Sequence, residues 1–172
     1  MQTVTKYPNP ESKRQSPPFT LTYPSDWRVR ELPKGDSLEL FLTGPLNPAA
    51  TFHAAIIVTT RLGNACTPHA LARDYEHRLH AFPNFKVLAT TQITLSGLDA
   101  TELDISYQMP LPFTHASPTM TPIREKHLFA TAEARIYELT YRATHDHFDT
   151  CLPVFLALLH SFAIQQTTAD TR

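Results

Sequence analysis

The clearest hydrophobic pattern in the chain lies between residues 134 and 162. Tyr137, Leu139 and Tyr141 alternate with Glu138, Thr140 and Arg142, the period of two expected of a strand with one face turned inward. After a polar turn, Phe148, Leu152, Phe155, Leu159 and Phe162 recur every three or four residues, one stripe of an amphipathic helix. Pro153 falls inside this stripe. Its missing amide costs nothing in a first turn, so the helix is expected to start near Asp149 or Thr150, with one of them as its cap. A strand feeding an apolar helix offers a surface on which the rest of the chain can pack.

The remaining pattern adds strands and one more helix. Phe19, Leu21 and Tyr23 alternate with threonines up to Pro24, which has no amide hydrogen for a ladder. Ser25 and Asp26 turn into a short strand at 27–30, where Trp27, the sole tryptophan, is expected to plug the core. Residues 38–42 read as a strand, and 44–48 (G-P-L-N-P) as a loop. From 51 to 61, Phe52, Ala54, Ile56 and Val58 share one face while Ala55 and Ile57 make the other apolar too, which predicts a strand covered on both sides. Thr67 followed by Pro68 is a helix start, with Leu71, Tyr75, Leu79 and Phe82 on one face and Arg73, Glu76, His77 and His80 opposite. Pro83 and Asn84 stop that helix. Strands at 85–95 and 98–109 flank a tight Ser96-Gly97 turn, with Leu103, Ile105 and Tyr107 expected inward and Glu102, Asp104 and Ser106 outward. Four prolines between 110 and 122 argue against a regular ladder there. A strand at 123–131 and a short turn at Ala132 and Glu133 lead into the Tyr137 strand.

The predicted order is β-β-β-β-α-β-β-β-β-α with hairpin-length links, hence an α+β chain with an antiparallel sheet sandwiched between helices. Residues 1–17 are expected to be a loose arm, 18–164 a single domain and 165–172 a polar tail. A length of 172 residues, 42% of them hydrophobic, suits one domain with its own core. A net charge of -1 gives no electrostatic case for nucleic acid. Fifteen prolines against four glycines point to stiff extended loops rather than phosphate-cradling ones. No apolar run is long enough to span a bilayer, and the first residues lack the apolar core of a signal peptide, so a cytoplasmic monomer or homodimer is expected.

Candidate chemistry is sparse. His145, Asp146, His147 and Asp149 form the densest group of potential metal ligands, but alternating residues in a loop rarely converge, and they read equally as polar loop and helix-capping acids. The expectation is no metal and no cofactor. His77 and His80 share a helix face and read as solvated; His53, His127 and His160 lie within elements and should find local partners. Cys66 and Cys151 are not in a C-x-x-C pair and are expected to be reduced, with Cys151 an inert core thiol. The chain has no G-x-S-x-G, G-x-G-x-x-G or Walker pattern, and no catalytic residue is assigned. Leu111, Phe113, His115 and Met120, on the proline-rich stretch, are the candidate partner-binding residues, because apolar groups on a stiff loop lose little entropy on binding.

The motifs F-T-L-T-Y-P-S-D-W at 19–27, L-S-G-L-D-A-T-E-L at 95–103, Y-E-L-T-Y at 137–141 and F-L-A-L-L-H-S-F at 155–162 come in an order and spacing that resembles the Mog1/PsbP-like superfamily, its bacterial PsbP-like members in particular. The resemblance covers residues 19–164 and implies an antiparallel sheet between helices. It implies no single activity, since members include a photosystem II extrinsic subunit, a Ran-binding import factor, lipoproteins and chaperone-like adaptors of secretion. The expectation is therefore a non-catalytic binding or adaptor domain for a protein or small molecule. The alternatives are a metal-dependent enzyme or metal-binding protein using the His/Asp group, and a chaperone-like adaptor for a secreted client.

Overall fold

A computed structural model describes residues 1–6, 19–34, 37–49, 52–63, 66–111, 118–132 and 134–164. Among these the chain forms strands β1 (Gln2–Lys6), β2 (Phe19–Tyr23), β3 (Arg28–Lys34), β4 (Ser37–Asn47) and β5 (Phe52–Leu62) and helix α1 (Pro68–Leu79). Strands β6 (Lys86–Leu95), β7 (Leu98–Leu111), β8 (Thr119–Ala132) and β9 (Arg135–Thr144), helix α2 (Phe148–Ser161) and strand β10 (Ala163–Ile164) follow. Seven strands build one sheet in the order β3-β4-β5-β9-β8-β7-β6, every neighbouring pair antiparallel. β1, β2 and β10 build a second, small antiparallel sheet. Helix α2 packs on β2, β5 and β9, and α1 packs on β7 and β8. The expected α+β sandwich is present.

The two helices lie on opposite faces because the apolar face of the sheet changes sides. In β9, Tyr137, Leu139 and Tyr141 are fully buried in a core shared with Phe148, Phe155 and Leu158 of α2. The register carries this face onto Val58 and Ile56 of β5 and Leu40 and Leu42 of β4. In the other direction it reaches Lys126 of β8 and then Glu102 and Asp104 of β7. The apolar residues of β7, Leu103, Ile105 and Tyr107, point the other way, into a second core with Tyr75 and Leu79 of α1. Each helix therefore covers the half of the sheet that is apolar on its side. β9 is the fourth strand of seven, so the strand-to-helix unit that dominates the hydrophobic pattern is also the middle of the molecule.

Local choices agree with this frame. The Thr67 hydroxyl accepts the Ala70 amide at 3.2 Å and Pro68 opens α1. Ser96 and Gly97 both have positive φ, 52° and 81°, the hairpin geometry that matches strand twist. The Tyr141 hydroxyl donates to the Phe148 carbonyl at 2.6 Å, tying the centre of β9 to the start of α2.

Four details differ from expectation. Residues 2–6, expected in a loose arm, form β1 against β2. Residues 44–47, expected in a loop, continue β4 after a register shift between Thr43 and Leu46. The proline-rich stretch carries ladder at both ends, with Pro110 opposite Met120 and Gln108 opposite Pro122. The ladder tolerates them because Gln108 turns its amide away from β8, to the Pro83 carbonyl at 2.8 Å, and Pro110, two residues on, faces the same way. Pro122 lies beyond the β9 pairing and offers its carbonyl to the His145 amide at 2.9 Å. Finally, α2 starts at Phe148, with His147 at the cap and no side-chain cap bond, so Pro153 sits in the second turn and removes one bond, that to the Asp149 carbonyl.

Trp27 is buried, as expected, and dictates its neighbour. A Cβ on Gly44 would lie 2.5 Å from the indole ring. Gly44→Ala is expected to destabilise the chain by ~1–3 kcal/mol through overpacking. Chemical denaturation followed by the fluorescence of this single tryptophan checks it; an unchanged midpoint would show that the ring can move aside at no cost.

Candidate functional site

Of the four residues expected to meet a partner, Leu111 closes β7 and is buried against the α1-side core, so its side chain points inward. Met120 is exposed on β8. Phe113 and His115 lie outside the described residues. The two acids of the His145 group have local partners, while His147 Nδ1 is buried without a hydrogen-bond partner among the described residues. Asp146 accepts both contacts of the Asn47 amide at 3.2 Å, and Thr144 above all holds its carboxyl below the usual range. Asp149 faces the Arg124 guanidinium at 3.7 Å. Among the described residues no group of three or more His, Cys, Asp or Glu side chains is placed to hold a metal. His53, His127 and His160 do find local partners, in the Gly44 carbonyl, the Thr140 hydroxyl and the Leu156 carbonyl. Cys66 is exposed; Cys151 is buried, and burial pushes its thiol upward.

The structure assembles two clusters that pattern reading did not single out. The first lies on the α1 side, where β8 and β9 meet. Glu125 is fully buried and accepts from the Tyr75 hydroxyl, from Arg142 Nε at 2.6 Å and from the Tyr107 hydroxyl at 3.1 Å. His127 lies beside it, Nδ1 3.5 Å from Glu125 and Nε2 3.6 Å from Glu138. Glu138 in turn accepts two hydrogen bonds from Arg61, at 2.8 and 3.0 Å. The His127 ring stacks on Phe129 and meets Tyr75 of α1 at 4.1 Å. Burial alone would raise the Glu125 pKa, but Arg142, His127 and the Tyr75 hydroxyl outweigh it and hold the carboxyl down at about 2. The two tyrosines are pushed up, by burial first and by the Glu125 charge second. With every oxygen of Glu125 engaged, this cluster pins α1 to the sheet rather than presenting a reactive group.

The second cluster is open. On the α2 side, a groove of about 400 Å³ runs between the C-terminal half of α2 and strands β6, β7 and β8. Ile93, Leu95, Leu128, Leu156, Leu159 and Phe162 supply its apolar walls, and Thr94, Ser96, Glu102 and His160 its polar rim. Glu102 is tied to Lys126 at 2.6 Å, which also reaches Asp104 at 3.3 Å. Asp104 receives a two-point grip from Arg124, at 3.1 and 2.9 Å, whose guanidinium lies over the Phe148 ring. This ladder of charges runs along the sheet from the first turn of α2 to the groove, where Glu102 lies at the rim.

No protein-family model matches the chain, and no curated protein matches it. Solved structures do. LpqN of Mycobacterium tuberculosis, involved in cell envelope biogenesis, is similar at 18% identity and a TM-score of 0.61, over 96% of this chain and 93% of LpqN. PA94 from Pseudomonas aeruginosa, a protein of unknown function, is similar at 16% identity and a TM-score of 0.60, over 83% of this chain and all of PA94. Cyanobacterial PsbP from Synechocystis matches at 10% identity and a TM-score of 0.54, over 85% of this chain and 86% of that one. The chain has the Mog1/PsbP-like fold. The resemblance read from the motifs holds at that level, and at these identities the comparison speaks for the fold alone. In this Mog1/PsbP-like chain no described helix is long and apolar enough to cross a membrane.

The charged residues of β8 had a signal in the sequence. Arg124, Glu125 and Lys126 are consecutive charges in a strand, and a period of two cannot turn all three to water. One had to point into a covered face and find a counter-charge. The groove had none, because it forms where α2 ends, a matter of packing rather than of pattern.

The buried pair predicts two outcomes. Arg142→Met leaves Glu125 without its cation and is expected to cost ~3–5 kcal/mol. The Glu125 carboxyl titrates near 4.5 when unfolded and about 2 when folded. Its contribution is therefore present above pH 4.5 and is lost as pH falls toward 2. Denaturation midpoints between pH 2 and pH 7 are expected to fall with acid, less steeply in Glu125→Gln; an identical acid slope in that variant would assign the effect to other carboxylates.

Proposed function

We propose that this chain is a non-catalytic binding domain that takes the apolar body of a small amphiphilic ligand in the groove beside α2. The observation that carries the reading is the groove itself. It is ligand-sized, open at the surface, walled by aliphatic side chains and edged by a few polar groups, the composition of sites that bind by burial and orient by hydrogen bonding. Its walls are set by elements that do not depend on the ligand. Leu128 and Phe162 belong to the main core, and the Glu102–Lys126 pair holds the rim. An apolar body would bury against Leu156 and Leu159, and a donor group at its end would meet the Glu102 carboxylate or the Thr94 and Ser96 hydroxyls. The engaged state of Glu125 supports the non-catalytic half of the reading, since the most buried acid of the described residues is committed to holding α1.

The test is equilibrium binding of the neutral apolar dye Nile red, read by its fluorescence. Saturable one-to-one binding is expected for the natural chain. Leu156→Glu, at a half-exposed position of the groove wall, is expected to weaken it at least about tenfold, or ~1.4 kcal/mol, without moving the unfolding midpoint. Absence of saturable binding, or binding unaffected by the substitution, would overturn the assignment of the groove.

A further inference from the structure

Strands β3 and β6 are the two edges of the seven-stranded sheet. An edge presents a row of unpaired amides and carbonyls, and it recruits other strands unless charge, proline, a bulge or a covering element blunts it. β3 reads R-V-R-E-L-P-K, so four charges and a proline blunt it. β6 reads K-V-L-A-T-T-Q-I-T-L over ten residues, with one charge at its first position and neither proline nor glycine. Residues 86–92 are all exposed, Val87 and Leu88 at 39% and 47%. The one irregularity is a register shift between Val87 and Ala89, which leaves 89–95 as a straight, neutral and strongly β-forming edge.

We infer that β6 pairs antiparallel with β6 of a second copy of this chain, across a two-fold axis normal to the sheet, joining two seven-stranded sheets into one. The choice of a second copy rests on charge and on area. In antiparallel self-pairing centred near Thr91 the two Lys86 ammonium groups lie roughly 30 Å apart at ~3.4 Å per residue, several Debye lengths at physiological salt. Every residue that meets its counterpart between them is neutral. Pairing β6 with β3 of another copy would set the neutral strand against charges and Pro33, and it would leave an open-ended stack instead of a closed pair. Two strands of this length exchange about eight main-chain hydrogen bonds, which at one per 100–200 Å² corresponds to roughly 800–1,600 Å² and overlaps the roughly 1,200–2,000 Å² of stable specific interfaces. Val87 and Leu88, exposed at the ends of the ladder, would leave water. Because a two-fold axis normal to the sheet preserves its faces, the two α2 helices and their grooves end up on the same side, with Ile93 of each β6 at a groove wall.

The experiment is light scattering coupled to size exclusion, on the full untagged chain at about 100 µM, far above the micromolar constants of weak interfaces. A mass of twice the chain is expected. Thr91→Lys places like charges across the axis and is expected to yield monomer, and Thr91→Glu likewise. Thr91 is exposed, so neither change touches the core. An equimolar mixture of the two variants is expected to recover the dimer, which a misfolded variant would not do. Arg30→Glu, on the opposite edge, is expected to leave the dimer intact. A monomeric natural chain, or a dimer that persists in both Thr91 variants, would overturn the inference.

Discussion

The structure depends on a change of sides within one sheet. β9 turns tyrosines and leucine to α2, and β7 turns leucine, isoleucine and tyrosine to α1, so a single helix cannot cover both. β8 lies between them and must serve each face in turn. Toward α1 it offers Ile123, Glu125, His127 and Phe129, and toward α2 it offers Arg124, Lys126, Leu128 and Ala130. Polar residues therefore end up on covered surface on both sides. They are tolerable because each is paired: Glu125 with Arg142, Glu138 with Arg61, Lys126 with Glu102 and Arg124 with Asp104. Glu125 and Asp104 are buried, and either one left without its partner would cost several kcal/mol. Paired across adjacent strands, they fix the register, because a one-residue slip would exchange every partner.

This also explains what could be read from the sequence. The Tyr137 strand, the Phe148 helix, the Thr67–Pro68 helix start and the Ser96–Gly97 turn are local, and each is written in residues close together in the chain. The sidedness of the sheet is not local. Alternation in 98–109 says that Leu103 and Glu102 face opposite ways, but not that the Leu103 side is the reverse of the Leu139 side; that follows only from the register of β7 on β8 on β9. Hence Asp104, read as outward, is buried beside Arg124. Proline misled for a related reason. Whether Pro110 breaks a ladder depends on which way its nitrogen faces, which is decided by the partner strand. β10 has only two residues and β1 only one apolar residue, Val4, so neither shows an alternation, and both pair on the edges of β2.

The same geometry separates the two polar clusters by role. The Glu125 cluster lies under α1 with aromatic rings above and beside it, so its hydrogen bonds are spent on position. The Glu102–Lys126 ladder lies where α2 has ended, and the sheet face beside it turns from charged to aliphatic along β6 and β8. An apolar wall next to an immobilised charge pair offers a ligand both burial and direction, and the helix that forms the other wall is anchored far from the rim. Phe162 stacks on Phe19 of β2 at 5.5 Å and Tyr141 bonds the first residue of α2. A ligand would thus meet a preformed groove and lose little to reorganisation.

Groove and sheet edge are both consequences of the short reach of α2. Leu95 is buried and Ile93 half-buried against the main core, while residues 86–92 of β6 lie exposed. Among the described residues β6 is held from one side only, by β7. The aliphatic and threonine side chains of such a strand find cross-strand neighbours on the β7 side alone until a further strand lies beside it, and β-preference is a preference for neighbours. The charges on β3 show that this chain can blunt an edge. Their absence from β6 leaves the neutral edge and the apolar groove continuous, two parts of one uncovered surface.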